Sequence, residues 1–378
     1  MGVTVGAPSS ADTARERMVD RLVEQVHPRE DTVTAFRTVP RHLFLPGVDL
    51  DRVYSGSAIP TKHTDKGDPI SSSSEVAIMA LMIDALRLER GQRVLEIGAG
   101  TGYNAAILAE LVGTENVVTL DIDVEIADEA RAHLRAAGYG DVRVEAADGW
   151  TGWSDGAPYA RVELTAATSD ISPHWVDQLD DGGVLVAPLL LRPNAQAMVA
   201  FRKRGRTLES LSVFAGGFMW LRGLGASGEA PPEVGPWRVT SSRAIDEVRL
   251  LALLQETPRL ELAEPASWSD LALLAIADES SVVLQRKGTP MYSNGILTED
   301  GSSLAFVEWA GGVLSPRLLL VSYGGPDAVE RLRRRLDEVR GRTWNGLRII
   351  AVPSDGARPD GDVIFVCPNY TFGVSTKR

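Results

Sequence analysis

The segment Val94–Tyr103, with the sequence VLEIGAGTGY, decides the fold of this chain. Its first four residues predict a short buried strand, and the glycines at alternate positions after them predict a tight turn. A helix is expected over 105–111, so backbone amides at its start can approach a ligand closely. Because Tyr103 stands where a dinucleotide fingerprint has its last glycine, the turn instead suits a nucleoside whose tail is an amino acid.

Strands and helices alternate on the C-terminal side of this turn, which predicts an α/β fold with a parallel sheet covered on both faces. Two antiparallel strands, at 198–202 and 208–214, are expected to close that sheet. The other predicted elements are strands at 117–121, 142–144, 162–165 and 184–187 and helices at 125–137 and 174–179.

The chain before the turn is expected to contain helices and one long irregular stretch. Residues 1–15 predict a loose tail, and apolar residues at helical spacing predict helices at 16–26 and 31–37. Residues 49–74 are rich in Gly, Ser, Pro and charge, and a stretch this long without regular structure is often functional. A further helix is expected to follow, with Ser74 as its N-cap.

The chain after the sheet is expected to form a second, smaller α+β domain. Residues 226–243 have the Gly- and Pro-rich composition of a linker. The predicted organisation is therefore a domain over 1–225, a linker over 226–243 and a C-terminal domain over 244–378. Within the last domain, Ser293–Gly295 predicts a hairpin turn and 327–340 predicts a helix. A dimerisation module, a lid and a peptide-recognition module are all compatible with this domain.

The composition excludes several classes of protein. The chain has 378 residues, of which 44% are hydrophobic and 24% charged, and its net charge of −12 disfavours nucleic-acid partners. No apolar run is long enough to cross a membrane and the N-terminus lacks the pattern of a secretion signal, so we expect a cytoplasmic protein. Cys367 is the single cysteine, and the five histidines have no ligand-like spacing, so no metal site is expected.

Three acidic residues follow the pattern of a nucleoside site. Glu96 lies in the strand before the glycine turn. Asp121 ends the next strand, where a carboxylate would accept hydrogen bonds from two ribose hydroxyls. Asp148 follows the third strand, where a carboxylate would bind an adenine amino group. Together with the turn, these acids predict a nucleoside-binding site at the carboxyl ends of the strands.

Six further segments carry a family resemblance. They are FRTVPRHLFLP at 36–46, VY at 53–54, IS at 70–71, VLEIGAGTGYNAA at 94–106, DGWTG at 148–152, and QL with GG at 178–179 and 182–183. In this order they resemble the protein-L-isoaspartate O-methyltransferase family, which uses S-adenosylmethionine (SAM). The resemblance covers about residues 15–221, a little over half of the chain.

The resemblance implies a Rossmann-like class I SAM methyltransferase fold and assigns site residues. The implied SAM-binding residues are Glu96, Gly98, Ala99, Gly100, Gly102, Asp121, Ile122, Asp148 and Gly149. Ser71 is implied to lie beside the acceptor carboxylate, with Ser72 as a second catalytic candidate. The implied substrate-binding residues are Pro40, Arg41, Tyr54, Ile70, Ser71, Ser73 and Thr165. S-adenosylhomocysteine is the expected product, and the expected partner is a peptide or protein.

Three departures from the family pattern bear on the acceptor. The family has GQTISQP where this chain has GDPISSSS at 67–74, and it has an aspartate where Ala160 follows Tyr159. In addition, repair enzymes of the family usually end near residue 225 of this chain. A retained cofactor site, a changed acceptor segment and an added domain together predict a changed acceptor.

The main prediction from these departures is methylation of an aspartyl side chain in a macrocyclic ribosomal peptide, such as a lanthipeptide, lasso peptide or graspetide. The ester would then close to a succinimide (aspartimide). The alternatives are repair of isoaspartyl residues with an accessory C-terminal domain, a small-molecule methyltransferase, and a non-catalytic peptide-binding protein with a relic SAM fold. The intact Glu96, Asp121 and Asp148 argue against the relic.

Two clusters have both a functional and a structural interpretation. Four arginines of one predicted helix could grip an acidic peptide or form a solvated face: Arg331, Arg333, Arg334 and Arg335. Four tryptophans could line an acceptor groove or belong to the core: Trp150, Trp153, Trp175 and Trp220.

Overall fold

The first part of the chain forms the helices and the hairpin that border the glycine turn. The structure, a computed structural model, describes residues 10–376 apart from 66, 193–194, 227–231, 288, 290–291 and 311–316. The elements here are α1 (Ser10–Val26), α2 (Glu30–Thr38), α3 (Leu50–Val53), β1 (Ile59–His63), β2 (Pro69–Ser73) and α4 (Val76–Leu86). The predicted tail is wrong for residues 10–15, which are helical, and residues 1–9 lie outside the described residues.

The composition of residues 49–74 predicted an irregular stretch. The structure instead has the β1–β2 hairpin there. The two strands pair antiparallel with Ile59 opposite Ser73. Their sequences lack the apolar alternation of a half-buried strand, which is why the pattern gave no strand signal. The helix that follows has Glu75, and not Ser74, at its N-cap position.

A ten-stranded sheet forms the centre of the molecule, in the order β18-β19-β17-β9-β8-β7-β6-β3-β4-β5. Its first elements in the chain are β3 (Val94–Ile97), α5 (Tyr103–Val112), β4 (Val117–Asp121), α6 (Val124–Ala136), β5 (Arg143–Ala146), β6 (Tyr159–Leu164), α7 (Pro173–Gln178), β7 (Leu179–Arg192), β8 (Ala195–Arg204) and β9 (Thr207–Ala215). Strands β3–β6 are parallel to one another, and the part of β7 that pairs with β6 is parallel to it. Strand β8 pairs antiparallel with β7 and with β9, as the sequence predicted.

A second sheet of seven antiparallel strands follows in the chain, in the order β10-β11-β13-β14-β15-β16-β12. Its elements are β10 (Glu233–Val234), β11 (Trp237–Ser241), α8 (Glu247–Leu254), β12 (Arg259–Leu262), α9 (Trp268–Ala277), β13 (Ser281–Arg286), β14 (Tyr292–Leu297), β15 (Ser303–Ala310), β16 (Arg317–Gly324) and α10 (Asp327–Val339). Residues 233–241 of the predicted linker are thus strands of this sheet. The predicted turn at Ser293–Gly295 is wrong, because these residues lie inside β14.

The last three strands return to the first sheet. They are β17 (Leu347–Pro353), β18 (Val363–Val366) and β19 (Tyr370–Thr376). Strand β17 pairs with β9, where Ile350 lies opposite Glu209 and Ala351 opposite Leu208. The division into consecutive domains at 225 and 244 therefore does not match the sheet topology, because residues 347–376 complete the sheet that residues 94–215 begin.

One apolar core connects the two sheets. Trp175 and Phe201 of the first sheet layer belong to the same buried cluster as Leu274 of α9 and Leu332 of α10. Helix α9 packs against β7 and β8 of the first sheet and against β13 and β14 of the second. Among the described residues, no helix combines the length and the apolar character needed to span a bilayer.

Candidate active site

A cavity of about 470 Å³ lies at the carboxyl ends of β3, β4 and β6. This is the edge of an open α/β sheet at which ligands usually bind. Five segments of the chain form most of its wall. They are the glycine turn at 98–101, Asp121–Ile122 after β4, the β2 segment at 69–74, Thr165–Ala166 after β6, and 216–222 after β9.

The three glycines of the turn stand at positions that disfavour a side chain. Gly98, Gly100 and Gly102 have φ values of 107°, 51° and 86°, a region that favours glycine. A Cβ atom on Gly98 would lie 2.2 Å from Thr165 Oγ1, and that hydroxyl donates to Gly98 O at 2.7 Å. The predicted residues Gly98, Ala99, Gly100 and Thr165 therefore form one wall of the cavity, whereas Gly102 caps the start of α5 behind it.

Asp121 lies at the end of β4 and lines the cavity together with Ile122. Its carboxylate accepts backbone N–H groups from Gly100 at 3.2 Å and from Asp123 at 3.1 Å. Burial raises the pKa of Asp121, and these hydrogen bonds and Arg222 oppose that shift. An ionised carboxylate has about four acceptor positions, so Asp121 keeps capacity for the two ribose hydroxyls predicted there.

Asp148 and Gly149 lie at the side of the cavity next to residues 221–225. Gly149 lines the cavity, but Asp148 is not part of the wall. The two oxygens of Asp148 accept the backbone N–H groups of Trp150 at 2.9 Å and Leu224 at 2.7 Å. Asp148 therefore fixes the segment that borders the cavity, and direct adenine binding by this carboxylate remains a prediction.

Glu96 belongs to a buried polar cluster beneath the glycine turn. Asn104 Nδ2 donates to Glu96 at 2.7 Å and to Glu163 at 2.8 Å, and Thr119 Oγ1 donates to the other oxygen of Glu96. Desolvation raises the pKa of Glu96 to about 7 and that of Glu163, which also faces the charge of Glu96, to about 8. Asn104, which lines the cavity, and Glu163 were not predicted as site residues from the sequence.

Glu163 had a sequence signal, because an acidic residue inside the apolar strand segment 162–164 is unusual. The sheet register places it directly opposite Glu96 on the neighbouring strand. That pairing depends on strand order and could not be derived from local pattern.

The acceptor-side wall is the strand β2. Ile70, Ser71, Ser72 and Ser73 all line the cavity, and their contact with an acceptor stays a prediction. Ser71 is almost completely buried and its Oγ accepts a hydrogen bond from Thr61 Oγ1 at 3.1 Å. The carbonyl oxygen of Ser72 lies 3.2 Å from where a Cβ atom of Gly100 would be. The hairpin and the glycine turn are therefore in direct contact.

Arg41, Tyr54 and Pro40 do not line the cavity. Arg41 is fully buried behind the hairpin and donates to three backbone carbonyls, those of Val53, Ser57 and Ser74, at 2.9–3.0 Å, and also to Ser73 Oγ at 3.2 Å. Its donors are therefore used within the chain, and desolvation lowers its pKa.

Tyr54 is buried, with its hydroxyl 2.7 Å from His42 Nδ1. Pro40 precedes the helical turn that carries Arg41. Arg41 contacts the hairpin through Ser73. None of the three residues is among those that line the cavity in the described structure, which differs from the substrate-binding role that the resemblance implied.

Two cations connect the walls of the cavity at Asp123, a residue that the sequence analysis missed. Lys62 of β1 contacts the two carboxylate oxygens of Asp123 at 2.8 and 2.9 Å. Arg222 approaches Asp123 at 3.8 Å and Asp121 at 3.5 Å. The hairpin and the segment 216–222 are thus both held at the start of α6.

The two ambiguous clusters are largely structural. Trp220 lines the cavity and is 43% exposed, whereas Trp175 is fully buried against Trp150, and Trp153 packs on the same core. Arg331 and Arg335 bind the buried Asp278, and Arg333 pairs with Glu261. These three arginines therefore bind acids of this chain.

A family model described as protein-L-isoaspartate(D-aspartate) O-methyltransferase matches residues 13–216, more than half of the chain. The chain belongs to this family. It is therefore a SAM-dependent enzyme that methylates carboxyl groups of proteins or peptides, and its fold is that of the class I SAM methyltransferases.

Relatives in the protein-L-isoaspartate O-methyltransferase family align with this part of the chain. A protein-L-isoaspartate O-methyltransferase 2 of Archaeoglobus fulgidus is 38% identical over 179 residues, which cover 47% of this chain and 79% of the relative. A protein-L-isoaspartate O-methyltransferase of Herpetosiphon aurantiacus is 36% identical over 221 residues, covering 57% of this chain and 93% of the relative.

One solved structure extends the fold match to the C-terminal region. A chain titled protein-L-isoaspartate O-methyltransferase superposes with a TM-score of 0.56 and 21% identity, covering 96% of this chain and all of that chain. At this identity the match shows the fold alone. Even so, a C-terminal region with the same fold is present in a protein of that title.

The residues around the cavity fit SAM. Gly98 and Gly100 line the cavity with backbone atoms alone, and Asp121 has acceptor positions for the ribose beyond the two N–H groups that it already binds. Asn104 Oδ1 is a buried oxygen with no hydrogen-bond partner, and such an oxygen suits the ammonium group of the cofactor. The site therefore offers groups for the ribose and for the amino-acid end of the molecule.

Proposed function

We propose that this enzyme methylates the free α-carboxylate of isoaspartyl residues in peptides or proteins. The observation that carries the proposal is the contact between the hairpin and the glycine turn. A Cβ atom added to Gly100 would lie 3.2 Å from Ser72 O and 3.9 Å from Ser71 Oγ. A carboxylate oriented by the serine strand would therefore lie next to the cofactor side of the same cavity.

The lining of the cavity agrees with carboxylate chemistry. An acceptor carboxylate is ionised near neutral pH, so no base has to remove a proton, and no histidine lies among the lining residues that the structure describes. Ser71 Oγ accepts from Thr61, which leaves its own hydrogen available to donate to the carboxylate.

SAM, when bound, supplies an electrophilic methyl group and a sulfur leaving group. A carboxylate oriented by Ser71 would receive this methyl group from SAM held at Gly98, Gly100 and Asp121, with sulfur as the leaving group. The protein therefore acts by orienting the two reactants and by excluding water. The resulting ester is open to attack by the next backbone nitrogen, which releases methanol and gives a succinimide.

A second candidate is the aspartyl side chain of a macrocyclic ribosomal peptide. The specific observation in its favour is the replacement of the family's acceptor segment by serines that line the cavity, 71–74. The C-terminal region does not favour this candidate over the first, because the fold of a chain titled protein-L-isoaspartate O-methyltransferase includes it.

The experiment is mass spectrometry after incubation of the full chain and SAM with an isoaspartyl peptide and its aspartyl twin. We expect a methyl ester on the isoaspartyl peptide alone, with loss of product in Ser71→Ala at unchanged SAM affinity. Methylation of only the aspartyl peptide would overturn the proposal. Failure on both linear peptides despite SAM binding would also overturn it, and a macrocyclic precursor peptide would then separate the second candidate from a non-catalytic binding protein.

A further inference from the structure

The loop after β6 forms part of the cavity wall and is held from both sides. Thr165 and Ala166 line the cavity at its start. Ala167 then pairs with the segment after β9, because its N–H donates to Met219 O at 2.7 Å and its carbonyl accepts from Leu221 N at 2.8 Å. The position of this loop therefore also sets the position of the segment that carries Trp220.

The same loop is bound by the C-terminal turn between β18 and β19. Asp170 is 5% exposed and accepts Asn369 N at 2.8 Å, Asn369 Nδ2 at 2.8 Å and Tyr370 N at 3.0 Å. Next to it, Cys367 Sγ donates to Ser169 O at 3.2 Å. Two successive loop residues are thus held by a turn that lies about two hundred residues later in the chain.

The charge of Asp170 depends on this turn. Burial raises the pKa of Asp170, and the N–H groups of Asn369 are the largest influence in the opposite direction. Within the described residues, the only donor to this carboxylate from its own loop is Ile171 N at 2.8 Å. Hydrogen bonds to a buried charge are strong and directional, so the turn specifies where the loop backbone lies.

We propose that the C-terminal turn 367–370 is a positioning element of the active site, which acts through Asp170 on the part of the cavity wall formed by Thr165 and Ala166. Asn369 and Asp170 touch neither substrate nor cofactor in this proposal. The proposal gives the C-terminal region a role in the carboxyl methyltransferase activity. Its kinetic test rests on the proposed function, because that test needs a peptide that the enzyme accepts.

The test compares Asn369→Ala with Gln285→Ala in the full chain. Gln285 Nε2 donates to Thr289 O at 2.9 Å in the second sheet, so the control also loses one amide hydrogen bond. Loss of one bond to a charged group corresponds to about a tenfold change. We expect Asn369→Ala to raise the KM for the accepted peptide about tenfold at unchanged SAM affinity, and Gln285→Ala to leave it unchanged.

Unchanged KM and kcat in Asn369→Ala, with only a lower melting temperature, would overturn the proposal.

Amide hydrogen exchange provides a readout that does not depend on the acceptor. We expect faster exchange of the N–H groups of Ala167 and Leu221 in Asn369→Ala and not in Gln285→Ala. Unchanged exchange at both groups would overturn the proposal even if the wild-type enzyme methylates neither linear peptide. Faster exchange in that case would retain the positioning role while the proposed acceptor fails.

Discussion

Replacing Glu163 by glutamine is expected to stabilise the protein, and to do so only above acidic pH. Glu163 and Glu96 lie directly opposite each other on β6 and β3, both almost fully buried. A single amide, Asn104 Nδ2, donates to both carboxylates. Among the ion pairs of the described residues, none includes either glutamate. Ionising the pair therefore places two uncompensated charges side by side in the sheet.

The magnitude follows from the pKa values. Burial and the charge of Glu96 raise the pKa of Glu163 from 4.5 to about 8. A group whose pKa is raised by folding contributes its full stabilisation at pH values below its pKa in the unfolded chain. That stabilisation is lost as the pH rises through its pKa in the folded chain. At pH 7, roughly 2.5 pH units above the unfolded value, keeping Glu163 protonated costs on the order of 3 kcal/mol at 1.36 kcal/mol per unit. Glutamine, which is neutral at every pH, removes this cost.

The assay is urea denaturation of wild type and Glu163→Gln at pH 5 and pH 8, without SAM. Glu24→Gln, on the exposed side of α1, changes the net charge equally and serves as control. We expect a small difference at pH 5, a stabilisation on the order of 3 kcal/mol or more at pH 8, and little change in the control. Equal stabilisation at both pH values would refute the reasoning, because a packing change does not depend on protonation.

Two further predictions concern the cavity walls. Arg41 reaches the carbonyl of Val53 from one terminal nitrogen and those of Ser57 and Ser74 from the other, an arrangement that the single nitrogen of a lysine does not reproduce. We therefore expect Arg41→Lys to lose stability on the order of 3 kcal/mol in thermal unfolding and to lower methylation activity. Wild-type stability would contradict the supporting role of Arg41. Lys62→Met removes the ion pair with Asp123. Calorimetry should therefore show that the variant binds SAM a few-fold more weakly than wild type at low salt and equally well at high salt. A difference in SAM affinity that does not depend on salt would exclude the electrostatic explanation.

The strand–turn–helix unit around the glycine turn was predictable because its determinants are local. Residues 94–97 are apolar enough to require burial, and the positive φ values of the glycines follow from the turn itself. Asp121 was predictable for the same reason, since it ends a strand that runs parallel to β3. A residue whose place in the site depends only on its position along one strand can be located from the sequence pattern.

The residues that were missed depend on contacts between distant segments. Glu163 meets Glu96 only through the order of strands, and Asp123 meets Lys62 only because the hairpin reaches the start of α6. Arg41 matches the family pattern, but the pattern does not show that its side chain points away from the cavity. Burial and hydrogen bonding decide that direction, and both depend on the folded chain.

The hairpin predicted at Ser293–Gly295 shows how a local signal can mislead. A glycine after asparagine favours a tight turn, yet Gly295 lies within β14, opposite Phe306 of β15. A Cβ atom there would come within 2.2 Å of Ala305 O. The glycine therefore permits a close approach of two backbones inside a sheet, which is the other reason for a glycine in a strand.

The topology changes which part of the chain bears on acceptor choice. Because β17–β19 complete the first sheet and their turn binds Asp170, the C-terminal region contributes to the scaffold of the methyltransferase itself. Its presence is then explained without a new acceptor. What distinguishes this chain from the family pattern at the cavity is the strand β2, where serines that line the cavity replace a glutamine and a proline. Differences in acceptor preference between this enzyme and its relatives should therefore follow the sequence of the β1–β2 hairpin.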